Sequence, residues 1–69
     1  MTQCDKILRH LKEIGAINPI SAMEGYGIMR LAARISDLRQ DGVNIGSRTK
    51  QSKNRYGETV RYKEYFLEV

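Results

Sequence analysis

Cysteine is nearly missing from this chain of 69 residues. Cys4 is the only one, and a lone thiol closes no internal disulfide. Folding in a reducing compartment, on packing alone, is the expectation. Histidine is as scarce. Cys4 and His10 are too few for a structural zinc site, which needs about four such ligands. No apolar run approaches the roughly 20 residues that span a bilayer. The first residues, Met1-Thr2-Gln3-Cys4-Asp5-Lys6, lack the basic start and apolar stretch of a signal peptide. A cytoplasmic protein with no membrane partner is expected. Catalytic parts are absent too: no phosphate-cradling glycine motif, no paired carboxylates, no nucleophile beside a base. The sequence therefore points away from an enzyme and from a bound cofactor. There is no repeat, linker or low-complexity stretch, and residues 1–69 read as one domain. A chain this short buries only about 60% of its unfolded surface, so its elements must be economical.

Acidic residues are also in short supply where it matters. The net charge is +4, but residues 1–27 balance Lys6, Arg9 and Lys12 against Asp5, Glu13 and Glu24. Residues 46–69 hold Arg48, Lys50, Lys53, Arg55, Arg61 and Lys63 against Glu58, Glu64 and Glu68. A basic block beside a neutral body suits a polyanionic partner. A solubilising face is the plainer account of the same charges.

Helical periodicity comes first along the chain. Ile7, Leu8, Leu11 and Ile14 form one stripe of a helix over Asp5–Ile14, with Thr2 as N-cap, Asp5 supporting the same amides, and Gly15 as terminator. Asn18-Pro19 is a strong helix start, because Asn caps and proline at the first position gives up an amide that had no partner. It opens a short helix, Pro19 to about Tyr26, with Ile20 and Met23 turned inward and Gly27 closing it. A third helix over 28–41 carries Ile28, Leu31, Ile35 and Leu38 as its core stripe, with Ala32 alongside and Gly42 after its end. Two helices joined by a tight glycine turn make a helix-turn-helix.

The period then falls to two. Ile45 to Ser52 alternates as a strand, Asn54-Arg55-Tyr56-Gly57 is a turn with a bulge, and Thr59–Leu67 returns. The hairpin spans 45–67. The bulged turn sets Asn54 opposite Glu58, Lys50 opposite Tyr62, Arg48 opposite Glu64 and Ile45 opposite Leu67. A slip of one residue would oppose Lys50 to Arg61 and Arg48 to Lys63, which like charges disfavour. Ala16-Ile17 is a candidate third strand.

In this order the elements resemble the α+β winged helix-turn-helix superfamily, three helices with a C-terminal hairpin as the wing. More narrowly, the sequence is similar to a family of short helix-turn-helix domains of bacteriophages and prophages. The resemblance is carried by Ile17-Asn18-Pro19, by the run from Gly27 to Arg39, by Gly42, and by the run from Lys53 to Glu58. Arg34-Ile35-Ser36-Asp37-Leu38-Arg39 followed by Gly42 resembles the recognition helix of many winged-helix repressors. Gly25-Tyr26, late in the second helix, departs from the pattern.

The resemblance implies binding of double-stranded DNA, with the third helix in the major groove and the wing on the phosphate backbone. With Ile28, Leu31, Ile35 and Leu38 in the core, the opposite side shows Arg30, Ala33, Arg34 and Asp37. Arg30 is the first choice for reading guanine, Ala33 allows close approach, and Met29 faces a thymine methyl or the backbone. Arg34 either reads a base, pairs with Asp37, or braces the wing. Arg39 is explained by the helix C-terminus it sits in. Lys50, Lys53, Arg55 and Arg61 gather near the wing tip as phosphate contacts, Arg55 being placed for a minor groove. Ser21 reads as an ordinary first-turn serine and His10 as a surface residue. One recognition helix reads few base pairs, so a homodimer on DNA or a partner protein is expected. Two other readings stay open. One is an interaction module that inhibits a host protein or nucleoprotein, such as a defence complex. The other is a protein adaptor using Tyr26, Tyr56 and Tyr62.

Overall fold

The computed structural model describes residues 1–68. The first helix, α1, covers Gln3–Glu13. Its start is a complete capping box: Asp5 N donates to Thr2 Oγ1 and Thr2 N donates to Asp5 Oδ2, both at 3.1 Å. The Asp5 carboxyl is held below its ordinary pKa, first by the Thr2 backbone amide and then by the Thr2 hydroxyl beside it. Ile14 is the C-cap and is 68% exposed, so the stripe of α1 ends at Leu11 rather than at Ile14. Gly15 follows at φ 110°, the terminator that the sequence implied. Strand β1 is the two residues Ala16–Ile17.

Helix α2, Pro19–Tyr26, starts as expected on Asn18, whose side chain accepts from Ser21 N at 2.8 Å. Its phase differs from the sequence reading. Ala22 is buried, whereas Ile20 and Met23 are 59% and 54% exposed. The small Ala22 lets α2 lie close to the core, and the half-buried Tyr26, one turn on, completes the inward face. Gly27 ends α2 in the left-handed conformation, and Ile28 N then donates to Ala22 O.

Helix α3 covers Leu31–Gln40, three residues shorter at its start than expected. Ile28, Met29 and Arg30 belong to the turn: the amide of Ile28 closes the end of α2, and Arg30 at φ -117°, ψ 62° lies outside the helical region. Ile28 is nonetheless fully buried, so it serves the core from a loop. Ala32, expected beside the core stripe, is exposed. The helix ends in a Schellman motif: Gly42 N donates to Arg39 O and Val43 N to Leu38 O, both at 3.1 Å, and Val43 packs on the core.

Strands β2, Ile45–Lys53, and β3, Thr59–Leu67, form the hairpin in the favoured register, including Arg48↔Glu64 and Lys50↔Tyr62. Strand β1 adds to β3 through Ala16↔Phe66 and Ile17↔Tyr65, giving the order β1-β3-β2. Three helices and a three-stranded antiparallel sheet make the α+β winged-helix arrangement. One core joins them: Ile7 and Leu11 of α1, Ile17, Ala22, Ile28, then Leu31, Ile35 and Leu38 of α3, and Ile45 and Tyr65 at the hairpin root. From Ser47 to Lys53 every residue of β2 is exposed, so most of the hairpin projects beyond the core. No helix is long and apolar enough to cross a membrane among the described residues.

His10 is a correction. It is half-buried, not a surface residue: its ring joins Tyr26 Oη at 2.7 Å and Ala16 O at 2.9 Å. One side chain thus ties α1 to both α2 and β1. A period of 3.6 places it off the apolar stripe, but carries no information about Tyr26, 16 positions away.

Candidate nucleic-acid interface

The start of α3 differs from the other two helix starts. Thr2 and Asn18 cap from extended backbone, each at ψ 168°, whereas Arg30 holds the N-cap position at ψ 62° with no side-chain capping bond. The first amides of α3 thus lack a capping side chain. The Arg30 side chain is exposed and has no hydrogen bond or ion pair among the described residues. Met29, 80% exposed, stands beside it. Met29, Arg30 and Arg34 line one shallow recess of about 280 Å³, together with Gln3 and Gly27.

The outward side of α3 is broader than the sequence suggested. Arg30 precedes the helix, so it does not share a helical face with Ala33 and Asp37 in the way that a start at Ile28 implied. Ala33 and Arg34 are half-buried and Asp37 is exposed. Ala32, Ser36 and Gln40, four residues apart, form an exposed row. Ser36 and Gln40 are not among the residues expected from the sequence, yet both can hydrogen-bond base edges. The signal for them was already in the spacing: with Leu31, Ile35 and Leu38 in the core, positions 32, 36 and 40 follow one another along the exposed side. Arg34 Nε lies 3.2 Å from Asp37 Oδ2, so the two charges pair as one of the three sequence readings had it. Nε is buried and poorly aligned with that carboxylate, so the contact is electrostatic and not a hydrogen bond. The arginine that braces the wing is Arg39: its Nε and Nη2 donate to Ile45 O at 3.0 and 2.9 Å.

The wing tip is held by one side chain. Asn54 Oδ1 accepts from Tyr56 N at 2.9 Å and Glu58 N at 3.0 Å, while Asn54 N donates to Glu58 O at 2.9 Å. Gly57 at φ 77° supplies the left-handed residue of the bulge. Arg55 and Tyr56 are presented outward on this frame, Tyr56 being 80% exposed. Behind the tip, Lys53 Nζ donates to Thr59 Oγ1 at 3.1 Å, and Lys50 Nζ lies 3.8 Å from Glu64 Oε1. Arg61 is exposed on the opposite side of β3 from Tyr62. The structure does not gather Lys50, Lys53, Arg55 and Arg61 into one cluster. Alternation puts Lys53 and Arg61 on one face of the hairpin and Lys50 on the other.

No set of three or more His, Cys, Asp or Glu side chains is arranged to hold a metal ion among the described residues. The arrangement offers hydrogen-bond donors, cations and a protruding hairpin, all suited to recognition of a polyanion.

No curated protein sequence matches the chain. A family model described as a winged helix-turn-helix domain matches residues 2–69. This is a DNA-binding fold and typically a non-enzymatic one. A helix with an exposed polar row, a basic hairpin beside it and a family match over nearly every residue agree, and the chain belongs to the winged helix-turn-helix domain family.

Proposed function

We propose that residues 1–69 act as one domain that binds double-stranded DNA with sequence selectivity, as a small regulator of phage or prophage origin. Helix α3 enters the major groove, Arg30 and the row Ala32, Ser36 and Gln40 face base edges, and the wing lies along the phosphate backbone. The observation that carries this reading is Arg30. It is a solvent-exposed arginine at the open start of α3, engaged by no intramolecular partner among the described residues, where a cap-forming residue is the usual choice. The phage origin rests on the sequence resemblance alone. Ten residues of α3 read few base pairs, so operator selectivity calls for a second copy or a partner protein on the same site.

The test is binding to duplex DNA across a salt series, followed by selection from random duplexes. A DNA regulator shows log K falling linearly with log salt, and its selected sites share a short motif. Absence of duplex binding at low salt sinks the reading.

One observation favours a second reading, an interaction module for a host or phage protein. Ile14, Ile20 and Met23 are more than half exposed, and a DNA-binding surface makes no use of them. On that reading, polar substitution of these three abolishes the biological effect and leaves duplex binding untouched.

A further inference from the structure

The two faces of the hairpin carry their charge differently. Side chains alternate along each strand, so the register sorts them. One face holds Ile45↔Leu67, Ser47↔Tyr65, Thr49↔Lys63, Gln51↔Arg61 and Lys53↔Thr59. The other holds Gly46↔Phe66, Arg48↔Glu64, Lys50↔Tyr62 and Ser52↔Val60. Ile45 and Tyr65 are core residues, so the first face is the one against which the helices pack. The bond from Lys53 Nζ to Thr59 Oγ1 lies across that same face.

On the back face the cations are already matched. Glu64, its side chain only 15% exposed, stands 2.8 Å from Arg48 Nε and 3.8 Å from Lys50 Nζ. The Arg48 guanidinium also lies over the Phe66 ring, 4.9 Å from its centroid. A phosphate arriving at Lys50 or Arg48 would displace a carboxylate or be repelled by it. The helix side has no carboxylate on either strand. Arg61, Lys63 and Lys53 form no ion pair among the described residues. Their neighbours on that face, Thr49, Gln51 and Thr59, are neutral hydrogen-bonding groups.

Position decides the rest. The projecting part of the helix-side face continues the side of the sheet on which α3 lies. A duplex resting against it also lies beside the helix layer. A duplex on the back face is separated from α3 by the sheet itself. The helix-side cations are therefore the ones best placed to share one duplex with α3.

We propose that the wing grips duplex phosphates through its helix-side face alone, with Lys53, Arg61 and Lys63 as the contacts. Lys63 joins the set, and Lys50 leaves it to serve with Arg48 and Glu64 as structure. The proposal rests on the DNA-binding reading and adds which half of the wing's charge is used.

The test uses the full chain and a random-sequence duplex, with folding of each variant checked by thermal melting. Lys53→Gln, Arg61→Gln and Lys63→Gln each reduce the slope of log K against log salt by about 0.9, whereas Lys50→Gln leaves it unchanged. A gain-of-charge pair removes any dependence on damage: Thr49→Lys steepens the slope by about 0.9 and Ser52→Lys does not. If the native chain binds with a salt-dependent affinity but Lys50→Gln flattens the slope as much as Lys63→Gln, the face assignment is overturned and the DNA reading survives. If the native chain binds no duplex at roughly 50 mM salt, both fall together.

Discussion

The guanidinium of Arg39 reaches the carbonyl oxygen of Ile45 with two donors, Nε at 3.0 Å and Nη2 at 2.9 Å. Arg39 lies in the last turn of α3 and Ile45 is the first residue of β2, so this side chain fixes the root of the wing to the helix beside it. The guanidinium also lies 5.9 Å from the centroid of the Tyr65 ring. Lysine has no fork with which to repeat the double contact. Arg39→Ala is expected to cost about 1–2 kcal/mol by denaturant unfolding, with Arg39→Lys recovering only part. Amide exchange at Gly46 and Ser47 should quicken in both variants. Unchanged exchange there would mean that the Schellman turn alone positions the wing.

His10 has a definite tautomer. Ala16 O can only accept, so the ring proton sits on Nε2, and Nδ1 must then accept from the Tyr26 hydroxyl. The two rings meet edge to face at 5.5 Å. Nitrogen-15 spectra of the neutral imidazole should therefore report protonated Nε2. Tyr26→Phe removes the donor to a half-buried nitrogen and is expected to cost about 1 kcal/mol. A spectrum with the proton on Nδ1 would contradict the assignment.

The capping box of α1 makes stability depend on acid pH. The Asp5 carboxyl is held below its ordinary value first by the Thr2 amide, which donates to it, and then by the neighbouring Thr2 hydroxyl. A depressed carboxylate stabilises the fold above its unfolded pKa and loses that contribution as pH falls through its folded pKa. Asp5→Asn should therefore melt lower than the native chain at neutral pH. The gap should close as the pH falls from about 4. A gap that persists at low pH would show that Asp5 acts through something other than its charge.

Local signals carried the fold, and cross-chain contacts limited the rest. Thr2, Asn18-Pro19, Gly27, Gly42 and Gly57 act within a few residues of themselves, and each lies where its chemistry demands. The hairpin register was legible because only one alignment puts Arg48 against Glu64 and not Lys63. Two of the differences lie in the helices, one of boundary and one of phase. A start at Ile28 gives α3 the wrong first turn, because Arg30 leaves the helical region at ψ 62° and the helix begins only at Leu31. In α2, eight residues leave periodicity little to average over, and Ala22 took the core position expected of Ile20 and Met23. His10 and Arg39 owe their roles to partners on other elements, which no local pattern encodes. Which half of the wing's charge is neutralised became visible only with the register and the Glu64 contacts together.

Gly46 shows how tightly the wing root is built. A Cβ there would sit 2.7 Å from Phe66 Cε2 and 2.5 Å from Glu68 Oε1, so any larger residue requires the Phe66 ring and the Glu68 carboxylate to move. The Phe66 ring that fills this place also carries the Arg48 guanidinium. Gly46→Ala is expected to destabilise by about 1–3 kcal/mol through overpacking. Phe66→Leu in the same background should relieve part of that cost. Simple additivity of the two changes would show that the ring is not what crowds the site.

Arg30 separates base reading from plain attraction. Its side chain makes no contact on which the fold depends, so Arg30→Ala should leave stability within about 0.5 kcal/mol of the native value. On a selected duplex the same change should cost about 1–3 kcal/mol and relax preference at one position of the site. Lys53→Gln instead should weaken every duplex alike, because phosphate contacts position a protein without reading sequence. The comparison is therefore made on two DNAs, the selected site and a scrambled one, and the informative quantity is the ratio of affinities. Loss of Arg30 lowers that ratio, and loss of Lys53 leaves it where it was. If both variants lose affinity equally on both DNAs, α3 does not read bases, and the exposed row Ala32, Ser36 and Gln40 loses its assigned role as well.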